Sequence, residues 1–433
     1  MNLKTCRQLF AGLAVLVGSA IALPVQAQLE ISIDGGDVGA TPIAIVPFAT
    51  PADVSFDVAQ IVEADLVRSG LFRTIPRTDM LEKPTEPTKI NYRNWKAVGM
   101  ENLVIGSLSR VGKGVAVRFF LMDATRGVQL IGFDMPAVGP EQLRVVSHQI
   151  ADLIYEKLTG TKGYFNTQIA YVTASGFGPG RRFELIVADA DGYNPRTIAT
   201  SREPLMSPAW SPDGKKLAYV GYERGRSAIY VHALASGDLK KVVSEKGING
   251  APAWSPDGSK MIVTLSFETN PDLYLVDLNG GGRTRLTDHY GIDTEAAISP
   301  DGLQVAFTSD RGGSPQVYLM SINGGEPRRM TFQGRQNLRP RFSPDGKSLL
   351  VVNADGGRYT IATVDLKSGT LNKLTDGPLD ESPSFAPNGS VVIFATTGRG
   401  NAELATVTTD GRVRQRLRQP GEVREPAWGP SVR

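Results

Sequence analysis

The sequence predicts a two-domain fold: an α/β N-terminal domain followed by an all-β, six-bladed propeller that is closed by the C-terminal strand. Three observations lead to this prediction. One heptapeptide theme recurs through the second half of the chain, four short strands fill each interval between its copies, and the first third shows helical apolar stripes between strands instead. We expect the α/β domain to span residues 40–162 and the propeller to span 163–433.

The heptapeptide marks the blades. It reads PAWSPDG at 208–214 and again at 252–258, and it returns as AAISPDG, PRFSPDG, PSFAPNG and a truncated PAWGP. Its large apolar position recurs at intervals of 44, 44, 44, 43 and 43 residues, at Trp210, Trp254, Ile298, Phe342, Phe385 and Trp428. Units of this length that hold four short strands cannot bury their own faces, so they stack radially as propeller blades.

The SPDG segment of the repeat has the composition of a hairpin turn. Its proline fixes φ, its aspartate can accept a hydrogen bond from the following backbone, and its glycine tolerates a positive φ. We therefore interpret the aspartates of the repeat as folding residues and not as catalytic ones.

Counting strands indicates how the ring closes. Residues 169–200 hold three strands, with the sequences IAYVT, ELIVAD and RTIAT, but no PAW strand precedes them. The C-terminal Pro426, Ala427 and Trp428 supply the missing strand, so that the last residues of the chain complete the first blade. This closure removes an open sheet edge.

The N-terminal domain shows no repeat. Residues 43–47 predict a buried strand, and the apolar stripe of 53–69 predicts a helix that ends at Gly70. A second helix is expected after Pro140, ending at Gly160. Further strands are predicted at 103–107, 115–123 and 129–134.

The first 27 residues have the pattern of a cleaved signal peptide. Lys4 and Arg7 precede an apolar run at 9–23, which Pro24 ends, and small residues follow at the expected cleavage site. The apolar run is shorter than the roughly 20 residues that span a bilayer, and no later segment is apolar enough, so we expect no membrane span in the mature chain. We therefore predict export by a cleaved signal peptide, with Gln28 as the new N-terminus.

Charge and cysteine content argue against several classes of function for the mature chain. Without Lys4 and Arg7 the formal net charge of +3 falls to +1, which gives no indication of nucleic-acid binding. The single cysteine, Cys6, lies before the apolar run, so the mature chain contains none. This excludes zinc–cysteine sites and thiol chemistry and is compatible with an oxidising compartment.

Enzyme functions find little support. Some serine hydrolases place similar propellers beside a catalytic domain, but no G-x-S-x-G elbow is present and the remaining part of the chain is too short. The three histidines, His148, His232 and His289, are predicted on a helix, a blade strand and a loop. A glycosidase carboxylate pair at the propeller mouth and a cation in the channel stay open as alternatives that no residue pattern supports. We expect no catalytic residue, no metal and no cofactor.

The chain resembles the TolB family of the Tol-Pal system of Gram-negative bacteria. The resemblance covers the opening IAIVPF at 43–48, the junction KLTGTKGYFNTQIAYV at 157–172, and the order and spacing of the repeats. It implies a non-enzymatic periplasmic scaffold whose propeller binds the lipoprotein Pal and whose N-terminal segment binds TolA. It further implies a role in outer-membrane integrity and in constriction at cell division, with other outer-membrane or peptidoglycan-associated proteins as additional partners.

The resemblance places the TolA-binding segment at 28–39. Its first residues alternate apolar and polar side chains before Gly35 and Gly36, a pattern suited to adding a strand to another protein's sheet. From the residues alone, a strand of the chain's own domain or a frayed tail stays the alternative. The expected TolA-binding residues are Gln28, Leu29, Glu30, Ile31, Ser32, Ile33 and Asp34.

The Pal site is expected in the loops that join the outermost strand of one blade to the innermost strand of the next, because these loops cluster at one mouth of the channel. They are 203–207, 247–251, 291–295, 334–339, 378–382 and 421–425. By resemblance the preferred residues are Asn249, Gly250, Ala251, Asp293, Thr294 and Glu295, followed by His289 and Gln336. The chain departs from the family pattern at Ile248 and Leu338. The alternatives are that these loops are solvated turns, or that they bind another protein or a small ligand.

Overall fold

The α/β N-terminal domain is built on a five-stranded mixed sheet in a computed structural model that describes residues 39–268, 270–397, 402–417, 419 and 421–431. The sheet has the order β2-β1-β3-β4-β5, in which β1 is parallel to β2 and to β3 and the remaining pairs are antiparallel. Its strands are β1 (Thr41–Ile45), β2 (Phe72–Arg73), β3 (Asn102–Val111), β4 (Gly114–Asp123) and β5 (Val128–Val138). The predicted segment 28–34 and the predicted signal peptide lie outside the described residues.

Three α-helices accompany this sheet: α1 (Val58–Arg68), α2 (Tyr92–Ala97) and α3 (Leu143–Thr159). The predicted start of the first helix at residue 53 is wrong. Asp57 has an extended backbone and its carboxylate accepts a hydrogen bond from the Gln60 amide, which caps the helix at its N-terminus and starts it at Val58. The predicted end of α3 is confirmed, because Gly160 adopts a left-handed φ of 75° that a side chain would disfavour.

Apolar side chains cover both faces of the sheet. On one face, α1 and α3 bury Leu66 and Ile150 against Val104 and Phe119. On the other face, Trp95 of α2 packs with the second hydrophobic cluster of the domain. Burying apolar area on both faces is what a sheet with parallel strands needs.

The rest of the described chain forms six four-stranded antiparallel sheets, one for each predicted blade. The C-terminal strand β29 (Glu422–Trp428) pairs with β6 (Gln168–Ser175), joining Ala427 to Ala170 and Trp428 to Ile169. The predicted six-bladed propeller and its closure by the C-terminal strand are therefore confirmed.

The blades follow in chain order. Blade 1 contains β29, β6, β7 (Arg182–Asp189) and β8 (Arg196–Ser201). Blade 2 contains β9 (Met206–Trp210), β10 (Lys216–Glu223), β11 (Arg226–Ala233) and β12 (Leu239–Val243). Blade 3 contains β13 (Asn249–Trp254), β14 (Lys260–Leu265), β15 (Asp272–Asp277) and β16 (Arg283–Arg285). Blade 4 contains β17 (Asp293–Ile298), β18 (Gln304–Ser309), β19 (Gln316–Ser321) and β20 (Arg328–Arg329). Blade 5 contains β21 (Gln336–Phe342), β22 (Ser348–Asp355), β23 (Arg358–Asp365) and β24 (Leu371–Lys373). Blade 6 contains β25 (Asp380–Phe385), β26 (Val391–Thr397), β27 (Ala402–Thr408) and β28 (Arg414–Leu417).

The innermost strand of each blade is the first one named above for that blade. Each of these six strands has a register shift next to one non-glycine residue with a left-handed, positive φ. The pairing of β13 with β14 shifts between Gly250 and Ala253, and Ala251 between them has a φ of 46°. The other five blades repeat this feature. Its left-handed residues are Ser207, Ala251, Glu295, Arg339, Ser382 and Glu425. A β-bulge of this kind bends a strand and redirects its side chains, here in the strand that lines the channel.

The SPDG turns have the predicted structural role. The Ser211 hydroxyl donates to the Asp213 carboxylate at 2.6 Å, and the same carboxylate accepts from the Lys215 amide at 3.1 Å. The copies at 255–258, 299–302 and 343–346 repeat the serine–aspartate bond. These hydrogen bonds lower the pKa of Asp213, which matches a carboxylate held in a turn.

The strand order gives the propeller two distinct faces. We call the face with the SPDG turns the turn face, and the face with the six loops between blades the loop face. The N-terminal domain meets the turn face: the Gln415 amide donates to the Arg68 carbonyl at 2.8 Å, and the Asn388 amide donates to the Lys162 carbonyl at 2.8 Å. The loop face is therefore turned away from the N-terminal domain. None of the helices in the described ranges is long and apolar enough to cross a bilayer.

Candidate functional site

Two of the predicted Pal-binding side chains are buried and hold the loop face together. Asn249 is 1% exposed, and its amide donates to the carbonyls of Ser227 and Glu245 at 3.0 and 2.8 Å. The Asp293 carboxylate is fully buried and accepts from Arg311 at 2.7 Å. These side chains hold the inter-blade loops in place and have no free surface to offer a partner.

The equivalent positions of the next two blades have the same role, which sequence reasoning missed. Asn337 is buried and donates from its amide to Gln316 and to the Gln333 carbonyl, both at 2.8 Å. The buried Asp380 carboxylate accepts from Thr396 at 2.6 Å. The signal that could have revealed this pattern is an amide or carboxylate two residues before the left-handed residue, which blades 3 to 6 have and blades 1 and 2 lack.

Glu295 belongs to an ionic cluster in the channel. Arg339 lies between Glu295 and Glu425, with nitrogen–oxygen distances of 2.9 Å to each. The Arg339 guanidinium also donates to the Ser382 hydroxyl, so the cluster joins blades 4, 5, 6 and 1 across the channel. Burial raises and Arg339 lowers the pKa of Glu425, and the net direction is downward, as expected of a paired carboxylate.

The remaining predicted Pal-binding residues lie at or near the loop face in different environments. Thr294 is half-buried with its hydroxyl 3.1 Å from that of Thr264. Gly250 faces open space, since a Cβ added there would meet only Ile248 Cγ2 at 3.8 Å. His289 accepts from the Gly291 amide through Nδ1 at 2.9 Å, while its ring packs against Tyr290. Gln336 lies half-buried at the start of β21, and Ala251 is the bulge residue of β13.

The loop face also displays large apolar side chains that the sequence analysis did not select. Tyr290 is 82% exposed and Phe332 is 70% exposed, and each follows the outermost strand of its blade. The set is Ile248, Tyr290, Ile292, Phe332 and Leu379. We call these five residues the apolar rim. They come from four consecutive inter-blade loops, and exposed apolar side chains that gather on one face mark a candidate protein-binding surface.

A second polar cluster joins the two domains on the turn face. Asp65 of α1 and His148 of α3 are 2.6 Å apart, and Arg68 contacts Asp65 at 2.6 Å. Asp191, in the turn between β7 and β8, accepts from Arg144 of α3 and lies 3.8 Å from His148 Nε2. We call these five residues the junction cluster. Burial lowers the pKa of His148, but the charge of Asp65 outweighs it and the pKa is raised, so the imidazolium form is favoured.

The junction cluster has the ligand types of a metal site, since Asp65, His148 and Asp191 place ligand atoms within 4.8 Å of one another. Arg68 and Arg144 already bind the two carboxylates, however, so positive charge occupies the place that a cation would take. This charge arrangement fits an ion-pair network between domains better than a metal centre.

The histidines lie where the sequence predicted them: His148 on α3, His232 on β11, and His289 in an inter-blade loop. In the described part of the chain, none of the three is hydrogen-bonded to a serine or threonine hydroxyl, which a nucleophile activated by histidine would need.

Comparison with known proteins agrees with the two-domain architecture. Residues 29–130 match the TolB amino-terminal domain, and residues 155–432 match the TolB β-propeller domain. The Tol-Pal system protein TolB of Methylococcus capsulatus is 62% identical over 405 residues, covering 93% of this chain and 95% of its own. The Tol-Pal system protein TolB of Xanthomonas oryzae pv. oryzae is 53% identical over 97% of each chain.

A solved structure shows the same fold. The crystal structure of TolB from Acinetobacter baumannii superimposes with a TM-score of 0.86 at 41% sequence identity, covering 93% of this chain and 100% of that chain. Both domains therefore match one family in sequence and in structure, and the chain belongs to the TolB family of the Tol-Pal system.

Proposed function

We propose that this chain is a non-enzymatic periplasmic scaffold that binds the lipoprotein Pal through its loop face and TolA through residues 28–34. In this function it supports outer-membrane integrity and constriction during division. The observation that supports the Pal site is the apolar rim, which borders a channel mouth that buried polar side chains hold in place. A preorganised surface with exposed aromatic anchors binds a protein partner at a low entropic cost.

We expect the exposed aromatic residues of the apolar rim to contribute more to Pal binding than the polar residues that the sequence suggested. Asn249, Asp293 and Glu295 are engaged by neighbouring loops or by the channel cluster, so we assign them to holding the loops in place. Tyr290 and Phe332 are free to bury their rings against a partner. Gly250, His289 and Gln336 lie beside the rim and complete the contact area.

Pal binding is tested by calorimetric titration of the mature protein with the soluble part of Pal from the same organism. We expect the double variant Tyr290→Ala, Phe332→Ala to bind at least about tenfold more weakly, since burying two aromatic anchors is worth more than about 1.4 kcal/mol. Leu303→Ala is the matched control, because Leu303 is also exposed but lies beside an SPDG turn on the opposite face.

The outcomes separate the two parts of this proposal. If the wild-type protein binds Pal and the double variant binds equally well, the loop face is not the site. If the wild-type protein does not bind Pal, the partner assignment is wrong. Binding that is lost in the double variant and kept in the Leu303 control supports both parts.

TolA binding is a separate test, because the segment 28–34 lies outside the described residues. A mature chain that begins at Gly35 should lose binding to TolA in a pull-down and keep binding to Pal. The double variant Tyr290→Ala, Phe332→Ala should bind Pal more weakly and keep binding to TolA. Retained TolA binding by the shortened chain would contradict the assignment of this segment.

A further inference from the structure

The turn-face end of the channel holds a cavity of about 450 Å³ that is separate from the apolar rim. All six innermost strands contribute to its wall. Each blade contributes one large apolar residue to it: Trp210, Trp254, Ile298, Phe342, Phe385 and Trp428. A volume of this size, lined mainly by apolar groups, matches the sites that take small molecules.

One residue breaks the sixfold pattern of this cavity. The position that precedes the large apolar residue of each innermost strand is small in five blades and an arginine in blade 5. The six residues are Ala209, Ala253, Ala297, Arg341, Ser384 and Ala427. Arg341 therefore introduces a single positive charge into a wall that the other five blades keep small and uncharged.

The Arg341 guanidinium has little to bind within the protein. Its one hydrogen bond among the described residues is from Nη1 to the Pro340 carbonyl at 2.9 Å, and it forms an ion pair with none of the described carboxylates. The nearby Glu295 and Glu425 are bound to Arg339. Arg341 is half-buried, and burial lowers the pKa of its guanidinium. Several donors are thus left for a ligand.

A wider cleft of about 1000 Å³ adjoins the cavity on the turn face and shares Trp254 and Pro430 with its wall. Three exposed lysines line this cleft: Lys162, Lys215 and Lys216. Two ionised aspartates, Asp213 and Asp257, also line it and leave an excess of one positive side chain. Positive charge along an approach path raises the local concentration of anions.

We propose that this cavity binds a small organic anion, in which a carboxylate pairs with Arg341 and an apolar body packs against the aromatic wall. A guanidinium presents its donors in a planar fork that matches a carboxylate, and the surrounding low-dielectric wall strengthens the pair. The inference does not depend on Pal or TolA, because the cavity opens on the face opposite to the apolar rim.

Tryptophan fluorescence tests this proposal directly, since three of the four tryptophans of the chain line the cavity. The probes are N-acetylphenylalanine, its neutral amide, acetate and inorganic phosphate. We expect a saturable fluorescence change with N-acetylphenylalanine and at least about tenfold weaker binding of the amide, because the amide lacks the charge-assisted hydrogen bonds. Acetate and phosphate should bind more weakly than N-acetylphenylalanine, because neither carries an apolar body.

The key variant is Arg341→Ala, which gives blade 5 the residue that four other blades have at this position. It should fold and weaken N-acetylphenylalanine binding about tenfold to a hundredfold. Arg341→Ser, which gives blade 5 the residue that blade 6 has, is the second variant, and Arg328→Ala, an exposed arginine on β20, is the control. Equal binding of acid and amide, undiminished binding by both folded variants, or no saturable change up to about 10 mM probe would overturn the proposal.

Discussion

Replacing Asp191 by asparagine should weaken the contact between the two domains more than its single charge suggests. Asp191 is the propeller's contribution to the junction cluster, and the other four members belong to α1 and α3. Its carboxylate accepts from Arg144, lies 3.9 Å from Arg68 Nη1 and lies 3.8 Å from His148 Nε2. Asparagine keeps the size of the side chain and an acceptor for the Tyr193 amide, but it removes the negative charge.

The expected magnitude follows from burial. The side chains of Arg68, His148 and Asp191 are 6%, 3% and 9% exposed, so Asp191→Asn leaves Arg68 and His148 with Asp65 as their close counter-charge and little water. Arg144 keeps Asp189 at 3.9 Å. Removing one partner of a buried ion pair typically costs about 3–5 kcal/mol. The control is Asp134→Asn. Asp134 lies on the exposed edge strand β5 and forms an ion pair with Arg118 of β4. We expect this change to leave the free energy of unfolding unchanged within error.

The effect is measured in two experiments on the mature protein. Urea unfolding gives the free energy of unfolding, and hydrogen exchange without urea gives the local stability of α3 and of the β7–β8 turn. Asp191→Asn should lower the unfolding midpoint and speed exchange on both sides of the junction. In a double-mutant cycle with Arg144→Gln, the two changes should be non-additive by about 0.5–3 kcal/mol, since the side chains are in contact. If Asp191→Asn and Asp134→Asn give the same unfolding free energy, the cluster does not hold the domains together.

Three further outcomes are expected. Arg339→Ala should destabilise the propeller by about 3–5 kcal/mol in urea unfolding, because it leaves two carboxylates unpaired in the channel, and adding Glu425→Gln should recover part of the loss. Burial raises the pKa of Asp152 to about 6, so the native state binds this proton more tightly than the unfolded chain does, and the resulting stabilisation is lost as the pH rises from about 4 to about 6. The raised pKa of His148 has the same effect at higher pH. Hydrogen exchange at the junction cluster, corrected for intrinsic rates, should therefore speed up as the pH rises from about 4. Asp213→Ala should cost about 1 kcal/mol in thermal unfolding through lost turn hydrogen bonds, without affecting Pal binding, and a loss of Pal binding in a folded variant would contradict a purely structural role.

The repeat made the propeller predictable from the sequence. The spacing of the large apolar residues indicated the number of blades, and the strand that residues 169–200 lack identified the closing segment. The start of α1 was missed because the apolar stripe continues through Val54, whereas the capping bond of Asp57 decides where the helix begins. Periodicity locates a helix well, but its boundary depends on one local hydrogen bond.

The site was less predictable than the fold. The sequence located the inter-blade loops, but it could not show that Asn249 and Asp293 point inward, because that depends on the bulge in each innermost strand. It also could not show that Arg339 of blade 5 reaches Glu425 of the closing strand, a contact between residues 86 positions apart. Exposure of Tyr290 and Phe332 depends equally on how neighbouring blades pack.

The closing strand β29 connects the two faces of the propeller physically. Near the loop-face end, Glu425 binds Arg339 in the channel cluster. Near the other end, the Trp428 indole donates to the Thr167 hydroxyl at 2.9 Å and its ring packs against Tyr164, in the segment that enters from the N-terminal domain. An element that contacts both regions can carry an influence of the channel cluster to the domain junction, and β29 is such an element. Glu425→Gln should therefore speed hydrogen exchange at Ile169 as well as in the channel, whereas an effect confined to the channel would show that β29 does not transmit the change.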